Sequence, residues 1–519
     1  MPGQLCEGED SFHGCGVMTQ FACNGSFRLK PGVRLIGEAG GGIVLRDSPL
    51  RALRVNRAGF AVLERCREGF SFGEHGDIEA GERGKSLAAL LDRLCQTGLV
   101  EWLPPANHDE PFVTVVTAVY NRAREIGACL ESLLSLDYPA DKLEIIVVDD
   151  GSCDDTCGVV SGYDVKLISL PENRGQSAAR NQGVREARGE IVAFTDSDCI
   201  AGPRWLKDLL PYFADGRNVL VGGYVASYYR ESLLDRYEEV NSPLNMGEET
   251  VFGAGAESDF YVPTCNMLVR KDAYVQVGGL DEEMRVGEDV DLCWRLKEHG
   301  HRLVYVPKGV VSHKHRNRFL QGFMRRFQYG ESEPVLYLNH ASITKRYPRQ
   351  PLGMALLVCC IAALLTQQIL FIPAIVLIPL VESLFRKIRY ERRMNVALTF
   401  RQVLRATLEK HYQLSLHLCR HVVRYYLLLM GLLVILFPQT ACAVAGLILL
   451  PSLAQYLGKK PRLNFGIFLL FFLAEQAFYQ AGVFRSCVNL RSFRPYRLVF
   501  SDVRRPAGST MISRPQGLN

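Results

Sequence analysis

Acidic residues gather at three points of the sequence, and the first two groups directly follow apolar runs. In IVVDDGSCDDTCG, residues 146–158, Asp149 and Asp150 come after isoleucine and valine, and in FTDSDCI, Asp196 and Asp198 are two positions apart. Because like charges this close repel one another, these loops are expected to face a hydrogen-bond donor or a cation. Carboxylates accept hydrogen bonds from ribose hydroxyls and nucleobase N–H groups, and Mg²⁺ and Mn²⁺ prefer oxygen ligands.

The third acidic group opens a helical pattern. In GEDVDLCWRLKEHG, Glu288 and Asp289 precede regularly spaced apolar residues, and a carboxylate there could take a proton from an attacking hydroxyl. Downstream, His313 follows an apolar run and could reach a metal or a diphosphate, whereas His315 is expected on the surface. Each acidic group taken singly is also compatible with an ordinary helix cap or acidic turn.

Two cationic side chains lie between the first and second acidic groups. The stretch PENRGQSAARNQGV contains Arg174 and Arg180 together with Gly175. The arginines could meet a diphosphate or hold the acidic loop in place. A plain solvated helix start is the competing interpretation.

The elements around these residues alternate between strand and helix. FVTVVTAVY, KLEIIVVDD and EIVAFTD are apolar runs typical of strands that are covered on both faces. AREIGACLESLLSL and QSAARNQGVREA are helical in pattern. Residues 111–335 are therefore predicted to form an α/β domain with a mainly parallel sheet. In such sheets ligands bind beyond the carboxyl ends of the strands, where the acidic residues fall.

Taken in order, the motifs VTAVYNR, VVDDGS, NRGQSAARNQG, FTDSD, GGLDE and GEDVDLCWR resemble those of family-2 glycosyltransferases with the GT-A fold. The resemblance implies a nucleotide-sugar donor, a divalent cation (Mg²⁺ or Mn²⁺) and inversion at the anomeric carbon. By the same resemblance Asp149 and Asp150 face the nucleoside, Asp196 serves the ribose, and Asp198 is the better metal ligand. Asp289 is then the expected catalytic base, with Glu288 as the fallback.

The sequence departs from one motif of processive members of that family. Where they carry Q-x-x-R-W, this chain reads FLQGFMRRFQYG, with Gln321, Arg325 and Arg326 near the expected place and no tryptophan after them. Arg325 and Arg326 could still contact phosphates or the acceptor. Whether synthesis is processive stays open.

The first part of the chain has a different character. Residues 26–104 read as short strands, two helices (the first capped by Asn56) and a closing strand, which predicts a small winged-helix-like module. RLKPGVRLIG and GGIVLRDSPLRALRVNRAGFAVLE resemble peptide-binding domains of PqqD type. That head joined to a family-2 transferase resembles the mycofactocin-system glycosyltransferases. This implies glucose transfer from UDP-glucose to a peptide-derived redox cofactor, with the precursor peptide as a possible ligand of the head. An unrelated docking domain is the alternative.

Three apolar stretches, residues 350–381, 425–457 and 463–484, predict an integral membrane protein with three to five crossings. RQVLRATLEKHYQLSLHLCRHVVRYY is expected to lie as a basic amphipathic helix on anionic lipid. The Lys- and Arg-rich segments 386–424 and 486–519 place the transferase domain on the cytoplasmic side of an inner membrane. Residues 1–25 are expected to be a disordered lead.

The composition of the chain bears on its partners and on its redox compartment. The chain of 519 residues has 48% hydrophobic residues and a net charge of +5, which is too mild to indicate a nucleic-acid partner. Its 16 cysteines show no CxxC spacing, so a reducing cytosol is the simpler interpretation. Two alternatives stay open: a membrane enzyme that makes surface polysaccharide or glycolipid, and a non-catalytic scaffold that binds nucleotide-sugar or peptide.

Overall fold

The computed structural model describes residues 25–38, 40–47, 50–71, 82–106, 110–253, 259–316, 318–394 and 396–501. Most of the predicted disordered lead and the end of the predicted basic tail lie outside these ranges. The described chain has three parts. We call them the head (26–103), the α/β domain (113–339) and the C-terminal helices (351–490).

The head contains two small sheets and two helices. Its strands are β1 Ser26–Leu29, β2 Val33–Glu38, β3 Gly41–Asp47, β4 Leu50–Asn56, β5 Phe70–Ser71 and β6 Val100–Leu103, and its helices are α1 Arg57–Arg65 and α2 Glu82–Gln96. One sheet has the order β5-β1-β6 and the other β2-β3-β4. As predicted, Asn56 caps α1, because its Oδ1 accepts a hydrogen bond of 2.8 Å from the N–H of Gly59. The winged-helix class and the PqqD-type resemblance stay predictions.

The α/β domain carries eleven strands and eight helices among the described residues. The strands are β7 Val113–Val119, β8 Leu143–Asp149, β9 Lys166–Ser169, β10 Ile191–Phe194, β11 Cys199–Ala201, β12 Asn218–Gly222, β13 Val225–Ser227, β14 Val251–Gly253, β15 Met267–Arg270, β16 Arg302–Tyr305 and β17 Val311–His313. The helices are α3 Ile126–Leu134, α4 Thr156–Val160, α5 Gln176–Glu186, α6 Trp205–Leu209, α7 Leu233–Asn241, α8 Lys271–Gln276, α9 Glu288–Glu298 and α10 Phe319–Asn339.

An eight-stranded sheet forms the centre of this domain, in the order β14-β16-β12-β15-β10-β7-β8-β9. Strands β10, β7, β8 and β9 are parallel neighbours, as predicted, whereas β15 runs antiparallel to β10 and β12. The runs of valine and isoleucine in β7 and β8 are buried because helices cover both faces of the sheet. A second sheet, β11-β17-β13, lies just beyond the end of β10.

The long apolar stretches of the C-terminal part are interrupted. The helices are α11 Pro351–Thr366, α12 Ile372–Met394, α13 Phe400–Leu436, α14 Ala441–Lys459 and α15 Phe465–Leu490, with short strands β18 Arg346–Pro348 and β19 Val499–Ser501 on either side. The first stretch breaks at residues 367–371 and the second at 437–440. Four segments are long and apolar enough to cross a membrane: Ile369–Arg393, Phe400–Leu436, Pro438–Lys459 and Phe465–Leu490. This number lies within the predicted range.

Two predicted pieces of the C-terminal part turn out to be joined. The basic amphipathic segment and the start of the second apolar stretch form the single 37-residue helix α13. Thr399 begins this helix with a capping box, in which its hydroxyl and the side chain of Gln402 satisfy each other's backbone N–H groups.

Helix α15 packs side by side with α10 of the α/β domain. Phe323 stacks with Phe471 near the start of both helices, and Arg485 pairs with Glu331 further along. Both helices therefore run in the same direction. Glu475, the one acidic residue of the third apolar stretch, accepts a hydrogen bond of 2.7 Å from the hydroxyl of Tyr237 in α7.

The head is docked onto both other parts. Its buried residues share one apolar cluster with the α/β domain, where the ring of Trp102 meets that of Tyr212 at 5.7 Å between centroids. On the opposite side, Ile43 and Leu45 of β3 pack with Val403 of α13. The head is thus held between the sheet domain and the C-terminal helices.

Candidate active site

A single large cavity of about 1660 Å³ opens at the carboxyl ends of β7, β8 and β10. Among the sequence-predicted site residues, those that line it are Asp150, Arg174, Arg180, Asp196, Asp198, Glu288, Asp289, His313, Arg325 and Arg326. Asp149 is not among the lining residues. The structure therefore brings ten of the eleven predicted residues together around one space.

The first acidic loop is held tightly by backbone donors. The Asp150 carboxylate accepts hydrogen bonds of 2.8 Å from the N–H groups of Arg174 and Gly175. Asp149 is buried beneath it and accepts one from the N–H of Ser152 at 3.1 Å. Gly151, between Asp150 and Ser152, has φ +73°, a backbone conformation that favours glycine. A Cβ at this position would lie 2.6 Å from the backbone carbonyl carbon of Glu172. These contacts fix the loop after β8 against the loop before α5.

Arg180 connects the second and third acidic groups. It projects from α5, is 3% exposed, and donates to Asp196 Oδ1 at 2.6 Å and to Glu288 Oε1 at 3.1 Å. Gln176, one turn earlier, donates to the same oxygen of Glu288 at 2.6 Å. Glu288 is therefore tied down by two donors. Arg174, by contrast, is half exposed and pairs with Glu282 at 3.2 Å.

Four side chains at the end of β10 and on the small second sheet form a possible cation site. The ligand atoms of Asp196, Asp198, Cys199 and His313 lie within 4.8 Å of one another. This is possible because β11 and β17 are paired, with Cys199 opposite His313. Carboxylates and an imidazole suit Mn²⁺, while Mg²⁺ favours the oxygens.

The surroundings of Asp198 fit such an ion. Within the described ranges, neither carboxylate oxygen of Asp198 accepts a hydrogen bond from an N–H or O–H group of another residue. Arg122 and His313 both approach the carboxylate to 3.6 Å, and the Cys199 thiol lies 4.0 Å from Oδ1. Burial raises the pKa of the Asp198 carboxyl. A divalent cation would offset that burial penalty.

Asp289 lies at the start of α9, and among the described residues one of its oxygens is hydrogen-bonded and the other is not. Its Oδ1 accepts from the N–H of Val290 at 2.8 Å. Burial, together with the charge of the adjacent Glu288, raises the pKa of Asp289 to about 7. A carboxylate with this pKa is well suited to accept a proton near neutrality. Gly287 precedes the helix with φ +85°.

The two arginines of α10 have different surroundings. Arg326 donates to both carboxylate oxygens of Glu238 at 2.8 Å and is buried. Arg325 donates to Gln328 at 3.2 Å and lies 5.0 Å from the centre of the Tyr329 ring. Arg325 is thus the freer of the two for a ligand phosphate. Gln321 is not among the cavity-lining residues.

His313, at the end of β17, and His315, two residues later, have different surroundings. His313 lies in the possible cation site, while His315 bonds to Asp235 Oδ1 at 2.9 Å and to the Ser227 hydroxyl at 3.0 Å. His315 lines the cavity, but its ring is held between these two partners, so the surface position expected for it is wrong. Strand β17 brings its neighbours β13 and α7 close enough to enclose the ring.

Some cavity residues had no predicted role. Arg122 and Gln176 stand inside motifs that were recognised, VTAVYNR and NRGQ, but their side-chain directions are set by the fold. The far wall was not foreseen at all, because it belongs to the C-terminal helices. The residues there are His417, Arg420, His421, Arg424 and Tyr425 of α13, Gln455 and Lys459 of α14, and Phe472, Glu475, Gln476 and Tyr479 of α15.

Comparison with known proteins finds similarity to glycosyltransferases. The family described as Glycosyl transferase family 2 matches residues 114–278. Pre-mycofactocin glycosyltransferase of Mycobacterium tuberculosis is 34% identical over 318 residues, which is 60% of this chain and 63% of that relative. This chain therefore spans less than two thirds of the length of those relatives. Glycosyltransferase AglE of Haloferax volcanii is 30% identical over 235 residues, which is 44% of this chain and 75% of AglE.

Among solved structures, the mannosyltransferase PcManGT from Pyrobaculum calidifontis, in complex with GDP-Man and Mn²⁺, superposes with a TM-score of 0.44. The sequence identity is 17%, and the superposition covers 73% of this chain and 88% of that one.

Proposed function

This chain belongs to glycosyl transferase family 2 and is a glycosyltransferase, and from that premise we propose that it moves a hexosyl group, with inversion, from a nucleotide-sugar donor to a hydroxyl acceptor. Its α/β domain has the GT-A fold that was predicted. The observation that carries the proposal is the convergence of Asp150, Asp198 and Asp289 on one cavity. UDP-glucose is the proposed donor.

The donor is proposed to lie over the carboxyl ends of β7 and β8. Asp150 faces the nucleoside and Asp196 the ribose, where carboxylate oxygens can accept hydrogen bonds from hydroxyl and N–H groups. Arg325 lines the same space and can stabilise charge on the departing diphosphate. Arg174, exposed at the rim, can do the same. Asp149 supports this surface from below through its bond to the loop at Ser152.

A divalent cation fits at Asp198 and His313, with Asp196 beside them, and when bound would supply positive charge to the leaving diphosphate. Arg122 is 3.6 Å from Asp198 and orients that carboxylate from the other side. Arg180 holds Asp196 and Glu288 in place, so the two acidic groups keep a fixed separation.

Asp289 is the proposed base. Inversion by direct displacement requires one base, which takes the proton from the acceptor hydroxyl as its oxygen attacks the anomeric carbon. Glu288, bonded to Arg180 and Gln176, is occupied as a positioning residue. The choice between the two neighbours follows from their partners, since burial raises the pKa of both carboxyls.

The proposed acceptor is a peptide-derived redox cofactor, mycofactocin or its precursor form. The support is the similarity to the pre-mycofactocin glycosyltransferases over 318 residues, together with the PqqD-type resemblance of the head. The head is further proposed as a possible binding site for the precursor peptide.

A second candidate is a membrane enzyme that glycosylates a lipid or a surface polysaccharide. It is favoured by the cavity itself, whose far wall is made by helices that are apolar enough to cross a membrane. In both cases we propose an inner-membrane, multi-pass protein whose transferase domain faces the cytoplasm. The Lys- and Arg-rich segments 386–424 and 486–519 support this orientation.

The first test measures UDP release. The purified full-length chain in nanodiscs is expected to release UDP from UDP-glucose with Mn²⁺ or Mg²⁺ and to stop when EDTA removes the cation. Asp198→Ala should lose cation-dependent release, and Asp289→Asn should lose about 10²–10⁴-fold in transfer rate while still binding UDP. Asp141→Asn, at an exposed site outside the cavity, is the matched control. Full activity of Asp289→Asn would exclude it as the base.

The second test identifies the product. Mass spectrometry of mixtures containing the enzyme, a panel of nucleotide-sugars and either premycofactocin or a membrane extract separates the two acceptors. A hexose added to the cofactor supports the first proposal, and hexose found only on lipid supports the second. UDP binding without any product from either source would contradict both and favour the non-catalytic scaffold.

A further inference from the structure

Helix α13 presents a row of basic side chains to the far end of the cavity. His417, Arg420, His421 and Arg424 are spaced at i, i+3, i+4 and i+7 and therefore share one helix face, and all four line the cavity. This row lies on the C-terminal helices, whereas the carboxylates assigned to donor and base lie in the α/β domain. The cavity thus has an acidic end and a basic end.

The arginines of this row form no close ion pair within the described part of the protein. Neither Arg420 nor Arg424 contacts a carboxylate there; Arg424 lies 3.5 Å from the centre of the Tyr479 ring, and the charge of Glu333 acts on it from further away. The nearby acid, Glu333, already accepts hydrogen bonds from Lys345, Tyr425 and Tyr479. Two arginines one turn apart repel each other, so an anion between them would relieve the repulsion.

His421 adds a buried donor without a hydrogen bond of normal length. The side chain is 3% exposed, its Nδ1 lies 2.9 Å from the Tyr347 hydroxyl, and its Nε2 makes no such bond among the described residues, although the backbone of Tyr496 interacts with the ring. When the tyrosine hydroxyl donates to Nδ1, Nε2 carries the proton and can donate to a ligand. Leaving a buried polar group unpaired is unfavourable. This points to a bound group that accepts a hydrogen bond.

The size of the cavity leaves room for such a group beside the donor. Sites for one small molecule commonly measure about 300–1,000 Å³, and this cavity measures about 1660 Å³. One cavity can therefore hold the nucleotide-sugar at its acidic end and a second molecule at its basic end.

We propose that His421, Arg420 and Arg424 form an oxyanion site that binds a phosphate or carboxylate group of the acceptor. The assignment of this end to the acceptor rests on the proposed function. Arginine supplies paired N–H donors that match the oxygens of either group. The Nε2–H group of His421 supplies a further donor from a different side. The oxyanion is carried either by a water-soluble acceptor or by a lipid headgroup, and the two sources share this chemistry.

The test uses the full-length chain in nanodiscs of neutral phosphatidylcholine, with UDP and Mg²⁺ at saturation to fill the donor end. Calorimetry measures the binding of three probes: inorganic phosphate, glycerol 3-phosphate and dihexanoyl phosphatidic acid. Saturable binding of at least one probe is expected, weakened about tenfold or more in Arg420→Gln and further in the Arg420→Gln/Arg424→Gln double variant. Equal affinity for all three indicates a soluble acceptor, and preference for the lipid indicates a headgroup.

Two further variants serve as controls for the binding measurement. Arg405→Gln removes one charge from an exposed position of the same helix outside this cavity and should leave probe binding unchanged. Arg424→Lys keeps the charge and should retain part of the affinity if the double variant does not fold. Probe binding that is unchanged in Arg420→Gln, or absent from the parent chain, overturns the oxyanion site. Failure of the parent chain to bind UDP would instead contradict the proposed function.

Discussion

Glu288 and Asp289 are neighbours in the chain, yet their carboxylates have different surroundings. Glu288 is held by Arg180 and Gln176, whereas the one hydrogen-bond partner of the Asp289 carboxylate in the described part of the chain is the backbone N–H of Val290. Burial disfavours the charged form of both acids and raises the pKa of each, so what distinguishes them is their hydrogen-bond partners. Arg180 joins the second and third acidic groups, because its guanidinium pairs with both Asp196 and Glu288.

A pH profile follows from the position of Asp289. Burial disfavours its charged form and raises its pKa to about 7, so the active, deprotonated form is lost as the pH falls below that value. We expect the kcat/KM for transfer to drop about tenfold per pH unit below about 7 and to level off above it. Initial rates between pH 5 and 8.5 measure this. A flat profile between pH 5.5 and 7.5 would show that another group accepts the proton.

Replacing Arg180 should destabilise the protein. In Arg180→Gln, the buried Glu288 loses its cationic partner and Asp196 loses a bond of 2.6 Å. Breaking a buried ion pair from one side typically costs about 3–5 kcal/mol, so the melting temperature in nanodiscs should fall by several degrees. Arg204→Gln, which breaks an exposed pair with Asp208, should change it little. Equal melting of both variants would contradict a bridging role for Arg180.

Most of the candidate site could be predicted because its residues follow apolar strands in a recognisable order. Asp150, Asp196 and Asp198 needed only the rule that strand ends gather at one sheet edge, whereas Asp289, at the start of α9, was expected from the resemblance of its motif to the family. The sequence did not reveal the bonds of Arg326 to Glu238, since these join residues 88 positions apart. Such pairings depend on tertiary contacts, which local patterns do not encode.

At the scale of elements, the contact between α10 and α15 depends on two glycines. A Cβ at Gly482 would lie 2.0 Å from the backbone oxygen of Phe327, and one at Gly330 would lie 2.2 Å from that of Tyr479. The backbones of the two helices therefore touch at these points. Neither close contact could be adjusted by turning a side chain, because the opposing atoms belong to the backbone.

Gly482→Leu should therefore separate the two helices. Overpacking of this kind commonly costs about 1–3 kcal/mol and occasionally more, and the cavity wall at Tyr479 would move with α15. A lower melting temperature and slower transfer are expected. Gly431→Ala is the control, because a Cβ at that glycine of α13 meets no atom within 4 Å. A Gly482→Leu protein as stable as the parent would contradict the close contact.

The periodicity of the sequence predicted where helices and strands form better than it predicted which of them pack together. The strands β7, β8 and β10 and the cap at Asn56 were accessible because burial and capping leave local signatures. The apolar stretch 463–484 carries the composition of a membrane span, yet α15 lies along α10. Apolar side chains suit lipid and protein alike, so composition alone could not distinguish the two neighbours.

At the scale of the whole molecule, the head is part of the packed structure. Asp92 of α2 forms ion pairs with Arg217 and Arg302 of the α/β domain, and Trp102 lies in an apolar cluster common to both parts. Contacts of Ile43 and Leu45 with Val403 fix its other side. The face of β3 that carries Ile43 and Leu45 is consequently covered.

Removing the head should expose apolar surface. A chain that begins at residue 105 would lose the partners of Tyr212 and Val403, and exposed patches of this kind promote association. We expect aggregation of the shortened chain on size-exclusion chromatography in conditions where the full chain runs as one peak. Asp92→Ala, which leaves Asp215 to pair with Arg217 and Arg302, should run like the parent. A well-behaved shortened chain would contradict the shared core.

The walls of the cavity come from separate parts of the polypeptide. Residues 118–316 surround the acidic end, and the side chains at the basic end come largely from 333–479. If the basic end receives the acceptor, as proposed, sequence changes in the C-terminal helices alter which molecule is glycosylated while the sugar delivered stays the same. Exchanging those helices between related proteins is then a route to new products, since the proposed donor-binding residues travel with the α/β domain.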